Sequence, residues 1–352
     1  MMTTRVAVIG LGSIAQEHVK AYQKNPLADL VAVADVDLAR AKEGAARFGV
    51  PRATDSVEEL LADPGIDAVS ICVPNNLHAS IAEAALRAGK DVLVEKPMSV
   101  SVAEAEALVT AAKETGRALQ IGYVRRYAPN ALVAKRFLDE GEFGSIYAAR
   151  ATILRAAGNP GGWFGDKEIS GGGPLIDLGV HIIDLCWYLM GRPTAVNVSG
   201  AAFSPLGARD NIQHLTRYRA ASATRVNNVE DYATAQIRFE SGAVLNVDTS
   251  YSLHTRNETR VELFGDKGGV QIEPALHMVT ERHDTLLHIE PQIDSLGFDF
   301  TVGFANQIDH FLRVVRREIE ADAPAEHGLE MARMLTAIYE SAASGSEVTI
   351  TR

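Results

Sequence analysis

A glycine-rich turn near the start of the chain constrains the fold more than any other feature. The six residues Gly10 to Ala15 follow the apolar run Val6 to Ile9 directly and open a helical pattern. Gly10 permits a tight bend, Gly12 lets a diphosphate approach the backbone, and the small Ala15 lets the helix pack on the strand. The turn predicts a dinucleotide site in which the helix start, with Ser13 and Ile14, faces the phosphates.

Asp35 strengthens this interpretation because it ends the next apolar run, where a carboxylate can accept hydrogen bonds from both ribose hydroxyls. A negative charge at this position repels a 2′-phosphate, so the prediction is NAD. Arg40 lies close by in the sequence and could accommodate the extra phosphate, which keeps NADP as the alternative. A Gly-rich turn in another α/β fold is the competing interpretation of the motif.

Lys96 is the first catalytic candidate, because it follows the apolar run Asp91 to Val94 at the point where that run stops. A side chain that follows a buried strand of a doubly wound sheet projects toward the crevice in which such sheets bind ligands. The ordinary alternative is a surface lysine that closes a strand. The neighbouring dinucleotide motif favours the functional interpretation.

Two kinds of periodicity divide the chain. Up to about Tyr123, continuous apolar runs alternate with helical stretches, which predicts a parallel α/β sheet of the Rossmann type over residues 1–123. Residues 124–352 instead contain alternating apolar and polar stretches, which are typical of antiparallel strands with one wetter face. The sequence therefore predicts a dinucleotide-binding domain followed by an α+β domain for substrate binding and oligomerisation.

A second polar motif lies in the later half, after the glycines at 171–173. If the stretch from Leu175 is helical, Asp177, His181 and Asp184 share one face, and two acids flank a titratable imidazole. Catalysis, a structural histidine capped by a neighbouring acid, and a metal site all fit this pattern. No further Cys/His cluster or acidic motif stands beside it, and we predict no metal.

Composition excludes several functions. The chain has 352 residues and a net charge of −11, which disfavours nucleic acid and anionic membranes as partners. Its two cysteines, Cys72 and Cys186, fall inside apolar runs and suggest no disulfide, as in a reducing cytoplasm. No run reaches the ~18 apolar residues of a membrane span. We expect a cytoplasmic protein that binds a small molecule.

The glycine turn, Glu95-Lys96-Pro97 and the pair Asp177 and His181 occur in the order that is typical of the Gfo/Idh/MocA oxidoreductases, and the whole chain resembles that family. The resemblance implies a Rossmann domain and a C-terminal domain with a large, open, mostly antiparallel sheet. It also implies association through that sheet, as a homodimer or homotetramer. The implied activity is hydride transfer between NAD and a hydroxyl carbon of a sugar, sugar derivative or cyclitol.

The resemblance also implies roles for the catalytic residues. His181 suits proton transfer, Lys96 would stabilise the developing alkoxide, and Asp177 would orient the substrate. In similar enzymes the lysine and the histidine are assigned to the proton step differently, so that step stays open between them. Two other functions found among similar proteins are an NAD-assisted glycosidase acting by transient oxidation and a non-catalytic dinucleotide or sugar sensor.

Further contacts follow from matching positions in the family. Cofactor contacts are expected from residues after the apolar runs and where the chain leaves the first domain, namely Cys72, Pro74, Asn75, His78, Glu95, Lys96 and Arg125. Substrate contacts are expected from Lys96, Tyr123, Asn159, Trp163, Asp177 and His181. Arg125 could equally be a solvated charge, and Trp163 an aromatic plug. The loop 205–229 is expected to carry residues that select the substrate.

Overall fold

The computed structural model describes residues 3–212, 214, 218–220 and 226–352 of the chain. The chain divides into two compact units. The first unit comprises Met1–Tyr123 and Phe304–Ala332, and the second comprises Val124–Gly303 and Arg333–Arg352.

The first unit is built on a parallel sheet. Its described strands are β1 (Thr4–Ile9), β2 (Ala28–Ala34), β3 (Arg52–Thr54), β4 (Ala68–Ile71), β5 (Asp91–Val94) and β6 (Leu119–Ile121), in the spatial order β3-β2-β1-β4-β5-β6. The order reverses between β1 and β4, and ligands of such sheets bind at this switch point, beyond the carboxyl ends of the strands. The turns after these strands, which include Gly10, Asp35 and Glu95, therefore lie at one edge.

Helices cover both faces of this sheet, which explains the continuous apolar runs of its strands. They are α1 (Ala15–Lys24), α2 (Leu38–Phe48), α3 (Val57–Leu61), α4 (His78–Arg87) and α5 (Val102–Thr115). Side chains take part in the helix starts: Asp37 accepts hydrogen bonds from the N–H groups of Ala39 and Arg40, and Ser101 accepts one from Glu104.

The second unit contains a larger and mostly antiparallel sheet. Its described strands are β7 (Ile146–Leu154), β8 (Ala195–Phe203), β9 (Tyr232–Phe239), β10 (Val244–Ser250), β11 (Glu258–Gly265), β12 (Gly268–Glu273), β13 (His277–Arg282), β14 (Thr285–Ile289) and β15 (Val348–Thr349). The spatial order is β14-β13-β12-β11-β7-β10-β9-β8-β15. Among these pairs, β7 and β10 run parallel, so the turns that follow them lie at the same edge.

One face of this sheet is buried and the other is largely open. The helices of the second unit are α6 (Pro129–Asp139), α7 (Lys167–Ser170) and α8 (Val180–Leu189), and α8 packs on β7, β10 and β11. Along β9, Ala233, Ala235, Ile237 and Phe239 are buried, whereas the residues between them are half-buried or exposed. This alternation is the pattern that the sequence predicted for the later part of the chain.

Two long helices, α9 (Phe300–Val315) and α10 (Ala325–Ser344), complete the described elements. From α9, Ile308, Phe311 and Leu312 enter the hydrophobic core of the first unit with Val8 and Leu93. Full burial of such a side chain contributes about 1.5–3 kcal/mol. The first unit thus recruits a segment that is distant in sequence from its sheet.

One helical run of the described chain, Lys167–Leu189, is long and apolar enough to cross a membrane by length and composition alone. However, 72% of that window is buried within the structure. Core helices of folded domains have the same composition, and α8 packs on a sheet here.

The predicted fold class is confirmed: a Rossmann-type parallel sheet with helices accompanies a mostly antiparallel sheet. Several strands were not predicted, namely β3, β8, β13, β14 and β15. The short β3 has only three residues, and β14 is exposed throughout most of its length, so neither gives a clear apolar pattern.

Candidate active site

The turn between β1 and α1 leaves room for a ligand beside Gly12 but not beside Gly10. Gly10 has φ +86°, and a Cβ there would lie 2.5 Å from the carbonyl oxygen of Cys72. A Cβ at Gly12 would meet nothing within 4 Å. No side chain in the described part of the chain caps the start of α1. Open space beside uncapped N–H groups fits a diphosphate.

Asp35 is held in the turn after β2. Its Oδ2 accepts a hydrogen bond from the N–H of Leu11 (2.9 Å) and its Oδ1 from the N–H of Asp37 (3.0 Å). The Arg40 guanidinium pairs with the same carboxylate at 3.1 Å. These bonds orient the carboxylate toward the glycine turn, and the next residue, Val36, is 92% exposed. The sequence did not identify Val36, whose exposed apolar side chain could cover one face of an adenine.

The turn after β4 contains the predicted cofactor contacts Cys72, Pro74 and Asn75. The Cys72 thiol is buried, and burial raises its pKa, so it remains protonated. Asn75 is buried at the start of a short 3₁₀ segment, Asn75–Leu77, and Pro74 is half-buried in front of it. The carbonyl group of Cys72 packs directly against Gly10.

His78 joins this turn to the one that carries Lys96. Its ring is fully buried, with Nδ1 2.6 Å from the carbonyl oxygen of Pro97 and Nε2 2.9 Å from that of Val73. A neutral imidazole can donate to only one of these oxygens, and a protonated one to both. Burial nevertheless lowers the pKa of His78 and favours the neutral form. The geometry gives His78 a bridging position, and its contact with a cofactor stays a prediction.

Glu95 belongs to a buried polar network beneath Lys96. Its Oε1 lies 2.9 Å from Nε2 of His18, whose Nδ1 lies 3.1 Å from the Ser70 hydroxyl. Ser70 in turn lies 2.7 Å from the Tyr22 hydroxyl. The other carboxylate oxygen, Oε2, accepts the backbone N–H of Lys96. The predicted contact of Glu95 with the cofactor stays a prediction, because His18 engages its carboxylate here.

Close backbone packing surrounds the Lys96 turn. A Cβ at Gly122 would lie 2.8 Å from Oε1 of Glu95, so glycine lets the end of β6 approach the end of β5. Tyr123, a predicted substrate contact, follows directly and is buried. Lys96 itself is half-buried at the carboxyl edge of the sheet, as its position after β5 predicted.

In the second unit, Asp177 lies on a π-helical turn, Leu175–Gly179, that leads into α8. Such wider turns are frequent at functional sites. Asp177 Oδ2 accepts a hydrogen bond from the Tyr251 hydroxyl (2.8 Å), and His181 is half-buried one turn later. Burial and the Asp177 charge raise the pKa of Tyr251, so the phenol stays a donor. Tyr251 was not predicted from the sequence.

The third acid of the motif has a structural partner. Asp184 is buried and binds Arg126 through both oxygens, at 2.6 and 2.9 Å. The Arg126 guanidinium also lies over the Tyr188 ring. Buried ion pairs of this type fix the arrangement of the elements that contribute them. Of the two acids that the sequence placed beside His181, Asp184 therefore anchors α8.

Arg125, a predicted cofactor contact, is also engaged within the second unit. Its guanidinium lies 2.6 Å from Glu273 and stacks over the Phe298 ring at 4.3 Å. Both charged side chains are largely buried. This environment differs from that of the solvated charge considered from sequence, and a contact with the cofactor stays a prediction.

The predicted substrate residues Asn159 and Trp163 lie in one loop before α7. Asn159 is buried; its Oδ1 accepts the N–H of Gly161 and its Nδ2 donates to Asn227. The Trp163 ring stacks on Phe164 with centroids 3.9 Å apart. Part of the loop 205–229, at residues 213, 215–217 and 221–225, lies outside the described residues.

Among the described residues, no group of three or more His, Cys, Asp or Glu side chains is arranged to hold a metal ion. The polar groups that the structure describes around Lys96 and Asp177 are imidazoles, amides, hydroxyls and carboxylates. Proton transfer and hydrogen bonding are the chemistry that these groups support directly.

Two family models match the chain. The first, described as an oxidoreductase family with an NAD-binding Rossmann fold, covers residues 4–123, and the second, the GFO/IDH/MocA C-terminal domain, covers residues 131–271. D-glucoside 3-dehydrogenase from Escherichia coli is 31% identical over 98% of this chain and 97% of that protein. The chain belongs to the Gfo/Idh/MocA family of oxidoreductases.

Other members of the Gfo/Idh/MocA family share the full length of the chain. The scyllo-inositol 2-dehydrogenase (NAD(+)) of Bacillus subtilis is 32% identical over 93% of this chain and 91% of that protein. A structure of levoglucosan dehydrogenase in complex with NADH and L-sorbose superposes with a TM-score of 0.87 at 26% identity, and covers 100% of both chains. The predicted family and the predicted NAD cofactor are thereby confirmed.

Proposed function

We propose that this Gfo/Idh/MocA protein is an NAD-dependent dehydrogenase that oxidises a hydroxyl group of a sugar, sugar derivative or cyclitol. The observation that carries the proposal is the pairing of an open phosphate position at Gly12 with the oriented carboxylate of Asp35. Relatives along the full length carry the names of glucoside and inositol dehydrogenases, which supports the substrate class.

The residues of the first unit fit NAD. The turn at Gly12, Ser13 and Ile14 would hold the diphosphate at the start of α1, and Asp35 would accept the ribose hydroxyls. Val36 offers an apolar surface to the adenine. NAD, when bound, supplies the acceptor for the hydride. Carboxylate repulsion at Asp35 disfavours NADP, although Arg40 pairs with that carboxylate.

The catalytic roles proposed here belong to Lys96, Asp177 and His181. Oxidation of a secondary alcohol removes a proton from the hydroxyl as the hydride leaves the same carbon, and a group with a pKa near the working pH suits that proton step. His181 would accept the proton, and the Lys96 ammonium would hydrogen-bond the reacting oxygen. Asp177, fixed by the Tyr251 hydroxyl, would orient the substrate.

Steady-state assays with a panel of sugars and cyclitols and NAD, read by NADH absorbance, test this function. Lys96→Ala and His181→Ala are expected to lower kcat at least a hundredfold, since positioned acid–base groups contribute about 10²–10⁴. Both variants should still bind NADH in a fluorescence titration. The controls Lys113→Ala and His254→Ala change exposed side chains of the same type.

The outcomes separate the proposed dehydrogenase from the two other functions. NADH accumulation from a free sugar or cyclitol supports it. Glycoside hydrolysis without net NAD consumption would instead identify a glycosidase that acts by transient oxidation. NADH binding with no turnover of any kind would indicate a sensor, and wild-type turnover in both variants would remove Lys96 and His181 from the mechanism.

We also propose that the open face of the second sheet joins copies of the chain into a homodimer or homotetramer in the cytoplasm. Tyr147 is 58% exposed there, and a groove lined by Tyr147, Phe264, Val279 and Leu286 runs along the same sheet. Light scattering after gel filtration should give an oligomer for the wild type and smaller species for Tyr147→Glu. Cell fractionation checks the location.

A further inference from the structure

The start of the segment that carries Asp177 and His181 is held by a single glutamate. Glu230 Oε2 accepts a hydrogen bond from the N–H of Gly173 (2.9 Å), and Oε1 accepts one from the N–H of Leu175 (3.1 Å). The first N–H groups of a helical segment have no partner within the helix, so a carboxylate at this position satisfies two of them and complements the helix dipole. Glu230 is therefore bonded to the backbone on both sides of Pro174.

Tyr339 completes this arrangement, which we call the Glu230 clamp (Glu230, Tyr339 and the backbone of Gly173 and Leu175). The Tyr339 hydroxyl donates to Oε1 of Glu230 at 2.9 Å. Burial raises the pKa of Tyr339, so its hydroxyl keeps the proton that it donates. The clamp thus fixes both the carboxylate and the backbone that it binds.

The glycines of the preceding turn match the clamp sterically. A Cβ at Gly172 would lie 2.0 Å from the Tyr339 hydroxyl, and one at Gly173 would lie 2.5 Å from the Glu230 carbonyl oxygen. Neither position has room for a side chain while the clamp is closed. The close approach of Glu230 and Tyr339 therefore accounts for two of the three glycines before the motif, Gly172 and Gly173.

The residues next to Glu230 hold the loop of Asn159 and Trp163. Asn227 accepts a hydrogen bond from the Asn159 amide. Asn228 accepts the N–H of Lys167 (2.7 Å) and donates its own N–H to the Gly165 carbonyl (3.0 Å). One short stretch, 227–230, thus binds the predicted substrate loop and the predicted catalytic segment together.

We infer that Glu230 is a positioning residue, which sets the location of Asp177 and His181 by holding the backbone from Gly173 to Leu175. The inference rests on the proposed function, since it assigns Glu230 to the same reaction. Glu230 need not touch the substrate for this role. It acts through the N–H of Gly173, which precedes the π-helical turn, and the N–H of Leu175, which begins it, and so through the alignment of that turn with Tyr251.

Glu230→Gln tests the inference, because an amide nitrogen replaces one carboxylate oxygen and cannot accept a backbone hydrogen bond. We expect kcat to fall at least tenfold, KM for the sugar or cyclitol to change less than threefold, and NADH binding to remain unchanged. Tyr339→Phe, which removes one bond to Oε1 but leaves both backbone bonds in place, should lower kcat less than Glu230→Gln does. Glu240→Gln, an exposed glutamate of the same unit, is the matched control.

A second readout does not depend on turnover. Hydrogen exchange at the amides of Gly173 and Leu175 should accelerate at least tenfold in Glu230→Gln, and the His181 resonances should shift in its NMR titration. Unchanged exchange would overturn the inference whatever the kinetics, and wild-type kcat in Glu230→Gln would also overturn it. If the wild type oxidises nothing in the panel, the proposed function fails, and the exchange and His181 measurements decide the inference alone.

Discussion

Nε2 of His18 lies 2.9 Å from Oε1 of Glu95, and both side chains are buried within the first unit. His18 comes from helix α1, which begins beside the diphosphate position, and Glu95 directly precedes Lys96. The pair therefore joins the helix of the predicted cofactor site to the peptide that carries the predicted catalytic lysine. The sequence did not predict that His18 and Glu95 form a pair.

Removal of the imidazole should destabilise the first unit. In His18→Ala, the buried Glu95 carboxylate and the Ser70 hydroxyl lose a partner, which costs about 1–3 kcal/mol, and the cavity adds to this. We expect the free energy of unfolding to fall by about 3 kcal/mol in urea denaturation. The exposed His254→Ala is the control, and equal midpoints for the two variants would contradict the prediction.

The two glycines of the first turn should respond to alanine in opposite ways. Gly10→Ala forces a side chain into a left-handed backbone, 2.5 Å from the Cys72 carbonyl oxygen, and should lower the free energy of unfolding by more than about 2 kcal/mol. Gly12→Ala meets no protein atom and should leave stability within about 1 kcal/mol, while NADH binding weakens at least tenfold. Thermal unfolding and fluorescence titration measure both effects, and a stable Gly10→Ala variant would sink this interpretation of the turn.

Replacement of Asp35 should shift the cofactor preference. Asp35→Ser removes the charge that repels a 2′-phosphate and one of the two carboxylates that pair with Arg40, so the ratio of the NADPH to the NADH Kd should fall at least tenfold, or about 1.4 kcal/mol. Asp37→Ser is the control, because it removes a negative charge from the same turn but keeps a helix-capping hydroxyl. An equal shift in both variants would show that net charge alone is responsible.

The buried His78 should make stability depend on pH. Burial lowers the pKa of His78 below its ordinary value of 6.5 in the folded chain, so the unfolded chain binds more protons between the two values. The free energy of unfolding should therefore decrease as pH falls below about 6.5, by up to about 1.4 kcal/mol per pH unit from this residue. Urea denaturation at several pH values between 5 and 8 gives the slope.

His78→Gln provides the comparison for this slope. The variant loses hydrogen bonds and is expected to be less stable at every pH, but its stability should vary less with pH than that of the wild type. Burial also lowers the pKa of His310, so part of the slope should persist. Identical slopes in the variant and the wild type would mean that His78 does not contribute.

Much of the fold could be predicted because its strands have clear patterns. The strands β1, β4 and β5 are buried on both faces and are continuous apolar runs in the sequence. The hairpin of β13 and β14 was missed for a physical reason: its turn residues, His283 and Asp284, both adopt positive φ without the glycine that usually reveals such a turn. Leu286 and Leu287 of β14 are adjacent and both exposed, so this strand lacks the alternation of apolar and polar residues that would reveal it.

Candidate site residues could be proposed from the sequence only where a short motif carries them. Gly10, Asp35, Lys96 and Asp177 each follow a strand or a glycine turn, so local spacing was sufficient to propose them. Tyr251, Glu230 and His18 contact these segments from distant positions, and a single sequence gives no sign of which distant residues meet. Their roles follow from tertiary contacts alone.

The imidazole of His78, which lies between the carbonyl oxygens of Val73 and Pro97, has a consequence for protein engineering. Redesign of the turn after β4 would also displace the peptide that follows Lys96, because one buried ring contacts both. Asp35 and Arg40 lie outside that connection. A change of coenzyme preference is therefore best attempted by substitutions at the end of β2, because these leave the position of Lys96 unchanged.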